Sequence, residues 1–103
     1  MDDLAGFAEA MRTLGDETRL RILRALRADA LCVCDLADAV GVSQPLVSHH
    51  LKALKAAGLV GCRKDGQWVY YAVRHQAFAA LGLGELLAPG GVLGLPSPTP
   101  AGR

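Results

Sequence analysis

The sequence is poor in aromatic side chains, in cysteine, in long apolar runs and in net charge, and each shortage excludes something. Five aromatic residues in 103 are too few to fill a β-sandwich, so a chain that is half apolar must build its interior from Leu, Val and Ala on helices. No run approaches a membrane span, and the acidic start Met1-Asp2-Asp3 has the wrong charge for a secretion signal. A cytoplasmic protein with no membrane partner is expected. Three cysteines are an odd number, so at least one is unpaired in any disulfide scheme, and thiols, thiolates or metal ligands are the better reading. Neither a Cys-x-x-Cys pair nor a phosphate-binding glycine loop on a β-α-β framework is present, which argues against a thiol enzyme.

What is present is unevenly distributed. The net charge is only +1, yet residues 1–42 hold eight acids against five bases, while residues 43–75 hold Lys52, Lys55, Arg63, Lys64 and Arg74 against Asp65 alone. Segregation of this kind suits a chain that presents one face to a polyanion. Residues 1–88 have the composition of one small domain. From Pro89 to Arg103 the residues are mostly Pro, Gly, Ser and Thr, and a disordered tail is expected there.

The chain is organised around residues 41–59. Ser43 is a helix cap, Pro45 is tolerated in a first turn, and Gly58 supplies a left-handed stop. At about 100° per residue, Val47, Leu51 and Leu54 share one stripe, with Gln44, Ser48, His49 and Lys52 on or beside the opposite face. No carboxylate occurs from Ser43 to Lys64, as a helix approaching phosphates requires.

The rest of the chain arranges itself about this helix. Leu4, Phe7, Ala8, Met11 and Leu14 recur at helical spacing up to Gly15. Asp16 and Glu17 then open a second helix whose core face is Leu20, Leu23 and Leu26. A short helix from about Cys34 to Val40, closed by Gly41, makes a helix-turn-helix with the 43–57 helix. Beyond Gly58 the period changes to two short β runs around Asp65-Gly66, a strong hairpin signal. A turn at those two residues pairs Lys64 with Gln67, Arg63 with Trp68 and Cys62 with Val69, and puts Cys62 on the packed side. His75 to Leu87 reads as a last helix, weakened by Gly82 and Gly84. The expected fold is mainly α with a β-hairpin wing, a winged helix-turn-helix in the order α-α-α-α-β-β-α.

Four segments in this order, Leu-Gly-Asp-Glu-Thr-Arg-Leu-Arg-Ile-Leu at 14–23, Leu-Cys-Val-Cys-Asp-Leu at 31–36, Ser-Gln-Pro-Leu-Val-Ser-His-His-Leu-Lys-Ala-Leu at 43–54 and Gly-Leu-Val at 58–60, closely resemble the ArsR/SmtB family of winged-helix metal-sensing repressors. The resemblance covers about residues 4–87. It implies a homodimer that binds double-stranded operator DNA and leaves it when a metal or metalloid ion binds. Cys-Val-Cys at this place looks like the arsenic- and antimony-sensing branch, with arsenite or antimonite as inducer. Members of that branch often carry a third cysteine three residues on, where this chain has Ala37. The zinc sites that some relatives place on the last helix need more ligands than His75 and Glu85 supply.

The chemistry of the residues fits that implication. Soft sulfur ligands select soft ions, and a coil-to-helix junction can aim Cys32 and Cys34 at one point near a helix N-terminus, where thiols are expected to ionise more readily. Trivalent arsenic and antimony bond three donors in a pyramid, so water, a small thiol or Cys62 is the expected third, although Cys62 also reads as a core cysteine. Cadmium, lead, zinc or oxidation is the alternative signal. For DNA, Ser43, Gln44, Ser48, His49 and Lys52 are the candidates on the helix, and Arg63, Lys64 and Gln67 on the wing. His50 reads equally as a DNA contact and as an oriented core histidine. Leu4, Phe7, Met11, Phe78 and Leu86 are the candidate dimer contacts.

Overall fold

The computed structural model describes residues 3–94. Its elements are α1 (Asp3–Leu14), α2 (Glu17–Leu26), α3 (Val33–Val40), α4 (Gln44–Ala56), β1 (Val60–Asp65), β2 (Trp68–Val73) and α5 (His75–Ala80), followed by 3-10 turns at Gly84–Leu87 and Val92–Gly94. This is the winged helix-turn-helix expected from the sequence. No helix of the described residues is long and apolar enough to cross a membrane.

Local chemistry sets the helix boundaries. The Asp16 carboxylate accepts the Arg19 backbone N–H at 3.0 Å and caps α2. The Ser43 hydroxyl does the same for Leu46 N–H at 3.3 Å at the start of α4. Between α3 and α4 the chain reverses through Gly41 at φ 81°, a left-handed conformation that would strain a residue with a Cβ. Ile22, Leu23, Leu26, Leu36, Val47, Leu51, Leu54, Leu59, Val60 and Phe78 are the largest side chains lost from solvent, and they lock α2, α3, α4 and the base of the hairpin together. At about 1.5–3 kcal/mol for each large aliphatic side chain buried, this cluster dominates the stability of so small a domain.

The hairpin departs from the expected register. Observed pairs are Val60 with Val73, Cys62 with Tyr71, Arg63 with Tyr70, Lys64 with Val69 and Asp65 with Trp68. The turn residues are therefore Gly66 and Gln67, not Asp65 and Gly66. Gly66 has φ 63° and no non-glycine residue described has positive φ, so the turn is of the II′ kind, with glycine first rather than second. The slip totals two residues, which leaves every side chain on its expected face. Cys62 does share a face with Val60, Val69 and Tyr71, but it is exposed, because only the base of the edge strand β1 is covered. The expectation of a core cysteine is corrected on that point.

A further rung joins the wing to α3. Leu31 N–H donates to Tyr71 O at 3.0 Å and Tyr71 N–H to Leu31 O at 2.8 Å, so the residue before Cys32 forms a bridge to β2. Two corrections concern the end of the chain. The last α-helix stops at Ala80 instead of reaching Leu87, with the chain turning at Gly82. Residues 89–94, expected to be disordered, fold back on α2, with Leu93 buried in the core; just before them, Arg27 Nε donates to Leu87 O at 2.9 Å. The remainder of the expected tail lies outside the described residues.

Candidate functional site

Helix α4 separates its two faces cleanly. Val47, His50, Leu51 and Leu54 are buried, while Ser43, Gln44, Ser48, His49 and Lys52 are exposed on the other side. Arg63, Lys64 and Gln67 are exposed toward the hairpin tip. His50 departs from the expected DNA-facing set. Its Nδ1 accepts from Arg19 Nε at 3.1 Å, and the same guanidinium donates to Thr13 O at 3.2 Å, tying the α4 interior to the junction of α1 and α2. Burial lowers the His50 pKa from its ordinary 6.5, with Arg19 and His49 acting in the same direction and Asp16 opposing. His50 therefore stands inside the fold as an acceptor for Arg19, as its core-histidine reading has it.

The thiol pair stands at the first turn of α3. Cys32 is its N-cap residue, in extended conformation and without a side-chain cap bond, so its sulfur is free for other partners. Cys32 Sγ and Cys34 Sγ lie 2.9 Å apart, a hydrogen-bonded contact between two free thiols. An Asp35 carboxylate oxygen completes a group whose donor atoms all fall within 4.8 Å of one another. That oxygen was missed in the sequence; its adjacency to Cys34 in the helix's first turn was the available signal. Ala37, where a third cysteine would stand, is buried against the core. Hydrogen bonding to Cys32, then burial, raises the Cys34 pKa above its ordinary 9.0, opposite to the expected effect of the helix terminus. An ion that bonds Cys34 must therefore displace its thiol proton.

A shallow cleft of about 170 Å³ opens beside the two sulfurs, lined by Cys32, Val33, Cys34, Gln44, Trp68 and Val69. It brings together the thiols, the first residue of α4 and the first residues of β2. Cys62 does not join it. Its sulfur accepts from Lys55 Nζ at 3.1 Å, which raises the Lys55 pKa, and β1 lies beyond β2 as seen from Leu31, about 10 Å away at the usual strand spacing.

Of the candidate dimer contacts, Leu4 and Phe7 are exposed on α1, and Met11 and Leu86 are half-buried. Phe78 is fully buried within its own protomer, so it supports α5 from below and offers no surface to a partner. The small residues Ala10, Ala56, Ala77 and Ala80, which the sequence reading passed over, line a groove of about 440 Å³ between α1 and α5.

Residues 16–61 match the family model described as bacterial regulatory protein, arsR family. An uncharacterized HTH-type transcriptional regulator of Methanocaldococcus jannaschii is 46% identical over 65 residues, 62% of this chain and 73% of that protein. The chain belongs to the ArsR family. The cadmium resistance transcriptional regulatory protein CadC of Listeria innocua is 46% identical over 62% of this chain, and the arsenical resistance operon repressor of Escherichia coli is 47% identical over 61%. The chain spans 55% of the length of each of these two relatives. Among solved structures, the homodimeric winged helix-turn-helix DNA-binding domain Mb0332 of Mycobacterium bovis gives a TM-score of 0.71 at 30% identity, over 82% of this chain and 80% of that one. An ArsR-like regulator from Rhodococcus gives 0.72 at 32%, over 77% and 74%. The family and these relatives are transcriptional regulators, and relatives named for arsenic and for cadmium stand at similar identity to this chain.

Proposed function

We propose that this ArsR-family protein is a repressor that binds operator DNA as a homodimer and is released when trivalent arsenic or antimony bonds to Cys32 and Cys34. The observation that carries the reading is the 2.9 Å approach of two free sulfurs at the start of the helix that leads into the DNA-facing helix. Two helices α4 related by a twofold axis would enter major grooves one turn apart, about 34 Å, with Gln44, Ser48, His49 and Lys52 at the bases and nearby phosphates. Arg63, Lys64 and Gln67 would follow the backbone from the wing. Leu4, Phe7, Met11 and Leu86 supply apolar surface on the elements that would pair.

Arsenite, As(OH)3, exchanges two hydroxyls for the two thiols, releasing two waters with arsenic staying trivalent. The hydroxyl that remains is then the third donor, or the Asp35 carboxylate takes its place and the hydroxyl leaves as a third water. Bonding both sulfurs to one centre reshapes the first turn of α3. That turn is stitched to β2 through Leu31 and faces Gln44 across the cleft. The ion favours the form that does not bind DNA by the difference between its affinities for the two forms, and a coupling of about 1–3 kcal/mol would weaken DNA binding several-fold to about a hundred-fold.

A second reading has specific support. The Asp35 oxygen beside two sulfurs also makes a donor set for cadmium, lead or zinc, and the CadC relative is named for cadmium resistance. A gel shift on DNA upstream of the protein's own gene, titrated with arsenite, cadmium and peroxide, separates them. Release at the lowest concentration by arsenite supports the metalloid reading; release by cadmium alone replaces it.

A further inference from the structure

We infer that the cleft beside the thiol pair selects a trivalent metalloid already carrying one organic substituent, R–As or R–Sb, over the inorganic ion. The inference rests on the thiol-pair reading above and specifies its ligand. A trivalent centre makes three bonds, and the described structure brings two sulfurs to one point. The place where a third cysteine would stand is the buried Ala37, Cys62 is held by Lys55, and the Asp35 carboxylate is a hard partner for a soft ion. An R–As(OH)2 species needs two thiols and no more. It exchanges two hydroxyls for two sulfurs, releases two waters, keeps its carbon bond and remains trivalent.

The substituent then requires an apolar place next to the sulfurs, and the cleft supplies one. Val33, Val69 and the half-exposed ring of Trp68 form its walls, and Gln44 is its one uncharged polar residue. At about 170 Å³ it is comparable to the apolar cavity of about 150 Å³ that holds benzene in another protein, so methyl and phenyl groups both fit. A group lodged there stands between the first residue of α4 and the first residue of β2, which links occupancy to the spacing of reader and wing.

The test measures half-release of the full-length protein from its DNA by phenylarsine oxide and by arsenite. Each value is normalised to that compound's affinity for a free small dithiol, so that intrinsic arsenic–sulfur strength cancels. The expected normalised preference for the phenyl compound is about tenfold, corresponding to about 60 Å² of apolar surface covered. Trp68→Ser and, independently, Val33→Asn should bring the normalised preference toward one. A wild-type preference of one overturns the inference, as does a preference that survives both substitutions. Unchanged release of a Cys32→Ser, Cys34→Ser double variant by both compounds would sink the thiol reading itself, and the inference with it.

Discussion

Helices α3 and α4 are separated by only three residues, 41 to 43, yet α4 and the first turn of α3 are held in opposite ways. The first has a side-chain cap, four buried residues and a hydrogen bond from Arg19 into its interior face. The second has no side-chain cap bond; the half-buried Cys34 bonds only to Cys32, and the exposed Asp35 carboxylate stands within 4.8 Å of both sulfurs. A reading element must keep its geometry through binding; a trigger must have one that a ligand can change at small cost. On the proposed function, placing both in one helix-turn-helix would let a local rearrangement of sulfur reach the DNA face without unfolding it.

The largest break in this comparison should come from the core side. Leu51→Ala removes a fully buried side chain between α4 and the rest of the core and should cost about 2–5 kcal/mol, read as a lower denaturation midpoint with DNA binding lost in parallel. Val33→Ala, at the half-buried trigger, should cost well under half as much in the same experiment. Next in size is Ser43→Ala, which deletes the α4 cap and should lower stability by about 1 kcal/mol.

Acid provides a third probe of how α4 is held. His50 is held neutral by burial, so the unfolded chain, with a pKa near 6.5, binds its proton more readily than the native state does. Its contribution is fully present above that value and is lost as pH falls below 6.5 toward the lowered native pKa. His50→Gln should flatten the stability profile below pH 6.5, which thermal melts at stepped pH would record. The smallest effect concerns the wing. Lys64→Ala should reduce the slope of log affinity against log salt by about one phosphate contact and leave sequence preference unchanged, as fluorescence titrations at several salt concentrations would show.

Where the sequence was legible, the signals were local and physically forced. Asp16, Ser43, Gly41 and Gly58 set helix ends because unpaired amides and left-handed turns admit few residue types, and Val47, Leu51 and Leu54 set the buried face by period alone. Asp65-Gly66 located the hairpin but left its register open, since glycine suits either central turn position. Cys62 lay on the expected face, but how far the helices cover that face is a tertiary fact that alternation does not encode. The same holds for the Arg19–His50 bond, which spans 31 residues, and for Leu93, whose burial depends on a surface of α2 being free to receive it. Asp35 was overlooked because a carboxylate in a helix's first turn is so often there for the dipole alone.

The central claim is that Cys32 and Cys34 govern whether α4 stays on DNA, and fluorescence anisotropy of a labelled operator fragment with the double variant Cys32→Ser, Cys34→Ser tests it most directly. The variant is expected to bind the fragment within about twofold of the wild type and to stay bound at arsenite concentrations that free the wild type completely. Release of the variant at the wild-type midpoint would contradict it.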